Sequence, residues 1–163
     1  MTQSANTLQV STPSDREIVM SRAFDAPRAL VFEAWTRPEH VRHWWGLRSS
    51  TMLVCEAEVR PGGSWRYVTT ASDGAEVPFT GVYQEVTPPE RLVYTEVYDV
   101  EPFNSGDPAV NTVTFTEEGG RTLVTVTTVY PTKEVRDFVL GTGMEHGAAE
   151  SYDRLAEHLK TLA

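Results

Sequence analysis

The chain has 163 residues, 40% of them hydrophobic, which is enough for one core of ordinary domain size but not for two. Its net charge of -9 argues against nucleic acid or anionic lipid as a partner, because both require clustered Lys and Arg. The single cysteine, Cys55, excludes an intramolecular disulfide and fits a reducing compartment, so we expect a cytoplasmic protein.

Residues 1–15 form a polar arm that has no apolar stretch typical of an export signal. The sequence never approaches the roughly 20 consecutive apolar residues of a membrane-spanning helix, so no membrane contact is expected. Leu8 and Val10 are the best anchors in the arm. A contact of the arm with a sheet edge, or with a second copy in a homodimer, stays open. One domain over residues 16–163 is expected to follow.

A strand and two short helices are predicted after the arm. Glu17–Phe24 is short, apolar and rich in β-branched residues, which predicts a strand. Pro27 then provides a helix-start signal, and apolar residues at helical spacing predict a helix over 27–36. Pro38 begins a second short helix, which Gly46 ends.

The middle of the chain, from residue 51 to residue 130, has a hydrophobic period of two, which indicates strands. Turn residues divide it into six strands that form an antiparallel meander. The predicted strands are 51–59, 64–71, 76–86, 91–98, 110–117 and 121–130. The one long break, residues 99–108, contains Pro, Gly and Phe103, and we predict that it is a mobile lid near a cavity entrance.

The last segment, residues 133–162, carries apolar side chains three and four apart, which predicts a long amphipathic helix. Gly141 and Gly143 predict a break, so the well-formed part should begin near residue 144. The fold class is therefore α+β, with a curved antiparallel sheet of about seven strands. Only the long helix is large enough to cover the sheet, so Leu155 and Leu159 should be buried.

Three segments carry a family resemblance. They are SRAFDAPRALVFEAWTRPEHVRHWWG at 21–46, EVRPGGSWRY at 58–67 with GVYQEVTPPERLVYTE at 81–96, and GTGMEHGAAESYDRLAEHL at 141–159. Together they resemble the Aha1-type (activator of Hsp90 ATPase homologue) branch of the START-like superfamily. The resemblance implies the helix-grip fold (START-like, Bet v 1-like), in which a curved sheet wraps the C-terminal helix and leaves a cavity. Many members bind or transform hydrophobic small molecules, so fold alone does not identify the function.

The chain departs from the resembling branch at Ala148, where members often carry Trp. A small side chain on the inner face of the gripping helix would leave space unless its neighbours fill it. Gly147, Ala148 and Ser151 together predict a roomier cavity.

The aromatic residues of neighbouring strands fall on matching parities and are expected to share one face. Ordinary core packing would explain any single ring, but buried Tyr hydroxyls need partners and suit a semi-polar pocket. A small apolar or aromatic molecule is the expected partner. The predicted ligand-binding residues are Trp44, Trp65, Tyr67, Phe79, Tyr83, Tyr94, Tyr98, Met144, Ala148 and Ser151.

Three ionisable residues have parities that could turn them inward: Arg22, Glu85 and Glu96. We expect each in a solvated or rim position, since a β-bulge would reverse the parity argument. A carboxylate that did point into an apolar cavity would have a raised pKa suited to acid or base chemistry.

No metal or cofactor is expected. His40 and His43 lie three apart on a helix, which allows a shared metal, but no third ligand is evident nearby. His146 and His158 are too far apart to form a site by themselves. Gly62-Gly63 lacks the context of a phosphate-binding loop and is interpreted as a hairpin turn.

The leading functional hypothesis is a small hydrophobic-ligand-binding protein. The alternative is a cyclase- or aromatase-like enzyme that uses the same cavity, and the sequence leaves catalysis undecided. A chaperone partner is less expected. Hsp90 activators carry an additional N-terminal domain with an Asn-rich motif, whereas only Asn6 precedes the first predicted strand.

Overall fold

The computed structural model describes residues 6–162 and contains eight strands in one curved antiparallel sheet, in the order β1-β2-β8-β7-β6-β5-β4-β3. Four helices accompany the sheet. In chain order the elements are β1 (Gln9–Ser11), β2 (Glu17–Phe24), α1 (Arg28–Thr36), α2 (Pro38–Val41), β3 (Met52–Ala57), β4 (Ser64–Thr70), β5 (Glu76–Thr87), β6 (Arg91–Tyr98), β7 (Ala109–Glu118), β8 (Arg121–Val129), α3 (Lys133–Gly141) and α4 (Met144–Leu162). This is the helix-grip architecture that the sequence predicts.

The inner face of the sheet follows from the alternation of side chains along each strand. In β8, Val124 and Val126 are buried, and the residues between the buried positions are more exposed. Helix α4 covers this face with Leu155 and Leu159, which are 0% and 4% exposed. Burial of both residues confirms the predicted role of the long helix.

The sheet has one more strand than predicted, because part of the polar arm pairs with β2. In this pairing Val10 lies opposite Met20. The arm therefore contacts a sheet edge of its own chain. Residues 1–5 of the predicted arm lie outside the described residues.

The predicted break between the last two helices is confirmed. Thr132 caps α3 by accepting a hydrogen bond from the backbone N–H of Val135, 3.1 Å away. Gly143 has φ +80°, a left-handed conformation that glycine adopts without strain, and α4 begins directly after it. Among residues 6–162, no helix has the length and apolar character needed to cross a membrane.

Candidate functional site

Strands β4, β5 and β6 place aromatic rings on the inner face, and Trp45, four residues after the end of α2, packs among them. The ring centroids of Trp45 lie 5.0 Å from Tyr67 and 6.2 Å from Trp65. Trp65 in turn lies 5.7 Å from Tyr94. Gly81 makes room for this packing, since a Cβ there would come within 2.5 Å of the indole nitrogen of Trp65. The predicted shared face is therefore real.

The rings around Trp45 enclose a cavity of only about 10 Å³, room for about one water molecule. Its lining residues are Trp35, Val41, Trp44, Trp45, Trp65, Tyr67, Tyr83 and Tyr94, which we call the aromatic cluster. Five of the ten predicted ligand-binding residues belong to it. The cluster is closed in this structure, so a ligand larger than water requires part of it to move.

Phe79 and Tyr98, two further predicted site residues, connect the aromatic cluster to the surface. The ring centroids of Phe79 and Tyr98 lie 5.3 Å apart, and Phe103 stands 5.5 Å beyond Tyr98. Phe103 stacks on Phe138 of α3 at 5.2 Å, and these last two rings are 46% and 53% exposed. The loop that carries Phe103 therefore contacts α3 at the outer end of an aromatic path. Its mobility stays a prediction.

The three predicted site residues on α4 lie apart from the cavity. Met144 and Ala148 are partly buried, and Ser151 is buried with its hydroxyl donating to the backbone carbonyl of Trp44, 2.7 Å away. A Cβ on Gly147 would lie 3.8 Å from the Leu47 side chain. The cavity is lined by none of these residues. The cavity in the structure is therefore not at Ala148, where the sequence predicted extra space.

Helix α4 holds the Trp-bearing segment through polar contacts that the sequence did not reveal. Arg154 donates from Nη1 to the carbonyls of Gly46 and Leu47, at 2.9 and 3.0 Å, and from Nη2 to that of His43, at 2.9 Å. These contacts fix the backbone on both sides of Trp44 and Trp45. Nothing in the sequence distinguishes Arg154 from an ordinary solvated helix residue.

His158 of α4 joins the two histidines near α2. Its Nε2 lies 3.0 Å from Nδ1 of His40, and its ring stacks on His43 with centroids 4.8 Å apart. Burial lowers the pKa of His158, and the two neighbouring imidazoles lower it further. Among residues 6–162, no three His, Cys, Asp or Glu side chains are arranged to hold a metal ion, and this includes the three histidines.

The rim expectation is confirmed for Glu85 and wrong for Arg22, whereas Glu96 faces inward but keeps accessible surface. A register shift between Tyr83 and Glu85 turns Glu85 away from the inner face, where it pairs with Arg91 at 3.1 Å. Arg22 is 6% exposed and donates to Asp153 at 3.0 Å. Its parity with its buried neighbours holds because β2 has no bulge against β8.

Glu96 lies on the inner face beside Tyr94 and Tyr98. The amide of Asn111 donates to Glu96 Oε1 at 3.0 Å, and the hydroxyl of Thr128 donates to the amide oxygen of Asn111 at 2.5 Å. Desolvation raises the pKa of the Glu96 carboxyl, against the opposing effect of the Asn111 hydrogen bond. Glu96 nevertheless keeps some accessible surface. The carboxyl is therefore desolvated by its neighbours and still accessible from outside the protein.

The tyrosines near this carboxyl act as neutral phenols. Burial raises the pKa of Tyr83 to about 12, and raises that of Tyr94 well above its ordinary value. Both can therefore donate and accept hydrogen bonds at neutral pH. The arrangement offers ring faces, phenol hydroxyls and one inward carboxyl to whatever enters it.

Comparison with protein families finds one match. The family described as "Activator of Hsp90 ATPase homolog 1-like protein" matches residues 25–160. No curated protein matches the sequence.

Solved bacterial structures share the fold over nearly the whole chain. A protein of Rhodobacter sphaeroides is 27% identical with a TM-score of 0.86, covering 96% of this chain and 99% of its own. One of Mycobacterium smegmatis is 24% identical with a TM-score of 0.83, covering 93% and 95%. One of Nitrosomonas europaea is 22% identical with a TM-score of 0.82, covering 93% and 98%.

Proposed function

This chain belongs to the Activator of Hsp90 ATPase homolog 1-like family, and we propose that it binds a small apolar or aromatic molecule between the curved sheet and its helices. One observation carries the proposal. Tyr94, Glu96, Tyr98 and Tyr130 remain only partly buried around the inner face, whereas Phe24, Val113, Phe115 and Val124 on the same face are at most 2% exposed. A domain that needed only a core would gain more by sealing the whole face with dry apolar contacts.

Ligand entry requires the closed site to open, since the enclosed cavity holds about one water. In the proposal the ligand enters beneath the loop of residues 99–108. The ring contacts of Phe103 with Tyr98 and Phe138 would have to separate, and the Phe103 side chain is 46% exposed. The hydrogen bonds from Arg154 to the backbone of the Trp-bearing segment stay in place.

The direct test is native mass spectrometry of the protein purified from its own host. Retention of a small apolar molecule at a one-to-one ratio is the expected result. A titration with N-phenyl-1-naphthylamine, an apolar fluorophore, then locates the site. Tyr98→Ala, beside the loop of residues 99–108, should reduce its uptake, while Ala75→Trp in the exposed turn after β4 should not. The proposal would be overturned if the wild type neither retained a small molecule nor took up the fluorophore.

Catalysis on the bound molecule is a second candidate function, and Glu96 is the observation that favours it. A carboxyl with a raised pKa can exchange a proton with a ligand near neutral pH. Conversion of the retained molecule by the wild type, lost in Glu96→Gln while binding persists, is the result expected for an enzyme. Binding without conversion leaves the protein a carrier or sensor.

A further inference from the structure

The most desolvated carboxyl on the inner face has no cationic partner among residues 6–162. Glu96 takes part in no ion pair there, and its one hydrogen bond comes from the neutral amide of Asn111. Three carboxylates with more accessible side chains do have cationic partners: Glu85 pairs with Arg91, Asp99 with Arg66 and Asp153 with Arg22. A cationic partner would matter most at Glu96, because an unpaired charge is least favourable where water is scarcest.

The amide beside Glu96 has a fixed orientation. Because the Asn111 oxygen accepts from Thr128, its NH₂ group must face the carboxyl and donate to Oε1. Asn111 is 3% exposed, so this arrangement is built into the core. The chain thus stabilises Glu96 as an acceptor with one neutral hydrogen bond. It leaves the second oxygen of the carboxyl to a group from outside.

Three tyrosines lie near the same carboxyl. Burial raises the pKa of Tyr94, Tyr130 and Tyr152, and the charge of Glu96 raises each of them further. Tyr130 follows β8 directly, and the register of β8, β7 and β6 places it in one row with Ala109 and Glu96. Ring faces attract cations, and a carboxylate next to them adds a full opposite charge.

Other ligand classes fit the groups around Glu96 less well. An anion would meet an unpaired carboxylate, and the two buried cations of residues 6–162, Arg22 and Arg136, already pair with Asp153 and Asp137. A metal ion would need further ligands, and residues 6–162 group no three metal-binding side chains as a site. A purely apolar molecule would leave Glu96 unpaired.

We propose that the ligand of this site is an organic cation, a small molecule with a protonated amine on an apolar or aromatic body, and that Glu96 is its counter-charge. The inference rests on the proposed ligand-binding function and adds the chemical class of the ligand. The amine meets the free oxygen of Glu96, and the apolar body lies along the rings of Tyr94 and Tyr98.

The experiment compares three naphthalene probes of equal size but different charge: 1-naphthylmethylamine, 1-naphthalenemethanol and 1-naphthoic acid. The wild type should bind the amine about tenfold more tightly than the alcohol, and the acid most weakly. Glu96→Gln should bind amine and alcohol equally while its affinity for the alcohol is unchanged. The matched control is Glu85→Gln, which removes an outward carboxylate from the neighbouring strand and should keep the preference.

The outcomes separate this inference from the function on which it rests. Binding of all three probes with equal affinity overturns the cation assignment and supports the apolar site. Binding of none overturns both. An amine preference that survives in Glu96→Gln, or that disappears when salt is raised from about 0.15 M to about 0.5 M, means attraction by the acidic surface and overturns the role of Glu96.

A test on the wild type alone does not depend on the folding of a variant. The amine-to-alcohol preference should fall as the pH is lowered from about 8 to about 4, below the ordinary pKa of a glutamate, because protonation of Glu96 removes the counter-charge. The phenols of Tyr94, Tyr130 and Tyr152 stay neutral over this range, since the pKa of each is raised. A preference independent of pH overturns the proposal.

Discussion

The two ends of the inner face differ in how completely the helices cover them. At the sealed end Phe24, Phe115 and Leu155 are at most 2% exposed. At the tyrosine end Tyr94, Glu96, Tyr98 and Tyr130 remain only partly buried. We therefore expect substitutions at the sealed end to cost more stability, and a ligand to bind at the tyrosine end.

The largest expected effect lies at the sealed end. Leu155→Ala should lower the free energy of unfolding by about 2 to 5 kcal/mol, because it opens a void where no side chain can collapse. Met144→Ala, at the partly buried start of the same helix, should cause less than half that loss. Denaturant melts of both variants measure the difference. Equal losses would contradict the division into two ends.

The next effect concerns the segment that joins the two ends. Arg154→Met should lower the free energy of unfolding by about 1.5 to 3 kcal/mol, since it leaves the carbonyls of residues 43, 46 and 47 without their charged donor. Acrylamide should also quench tryptophan fluorescence more strongly, because Trp45 loses its support. Lys160→Met on the exposed side of α4 is the control and should change neither quantity.

Glu96→Gln should raise stability at the tyrosine end, and only above mildly acidic pH. The folded carboxyl has a raised pKa, so the stability that its protonated form contributes is complete below the unfolded pKa and is lost as pH rises through the folded pKa. Glutamine does not titrate. The variant should therefore unfold at a higher temperature than the wild type at pH 8, and the gap should close towards pH 4. A gap that widens at low pH would mean that Glu96 is stabilised as a carboxylate.

The smallest effect is expected at the histidines. His158 has a lowered pKa in the folded protein, so its contribution to stability is complete above the unfolded pKa of about 6.5 and declines as pH falls towards the folded value. His158→Asn should flatten thermal stability between pH 7 and pH 5. His146→Asn, on the exposed side of the same helix, should keep the wild-type slope.

The predicted strands, the helix break and the burial of Leu155 follow from local information. A period of two places every second side chain on one face, and a glycine with a left-handed conformation ends a helix wherever it stands. Leu155 is buried because α4 has a single apolar stripe and one sheet to cover. Element type and core face therefore needed the sequence alone, with β1 the exception because its edge contact depends on a partner strand.

The candidate site could be predicted only in part. Strand parity predicted Trp65, Tyr67, Tyr83 and Tyr94 of the aromatic cluster but not Trp35 or Trp45. The size of the cavity was not predicted either, because a void of about 10 Å³ depends on how several distant rings meet. Parity was also too weak to decide Arg22, Glu85 and Glu96. A register shift after Tyr83 turns Glu85 outward, whereas Arg22 and Glu96 face inward.

By itself, the sequence determined the α+β class, the order of the elements and the face that each strand buries, because these depend on neighbours a few residues away. The tertiary structure alone decided that His158 meets His40 across 118 residues, that Arg154 holds the backbone around the two tryptophans, and that Glu96 is desolvated without a cation. Such contacts depend on how α4 lies across the sheet. That position results from packing the whole core, and no local pattern encodes it.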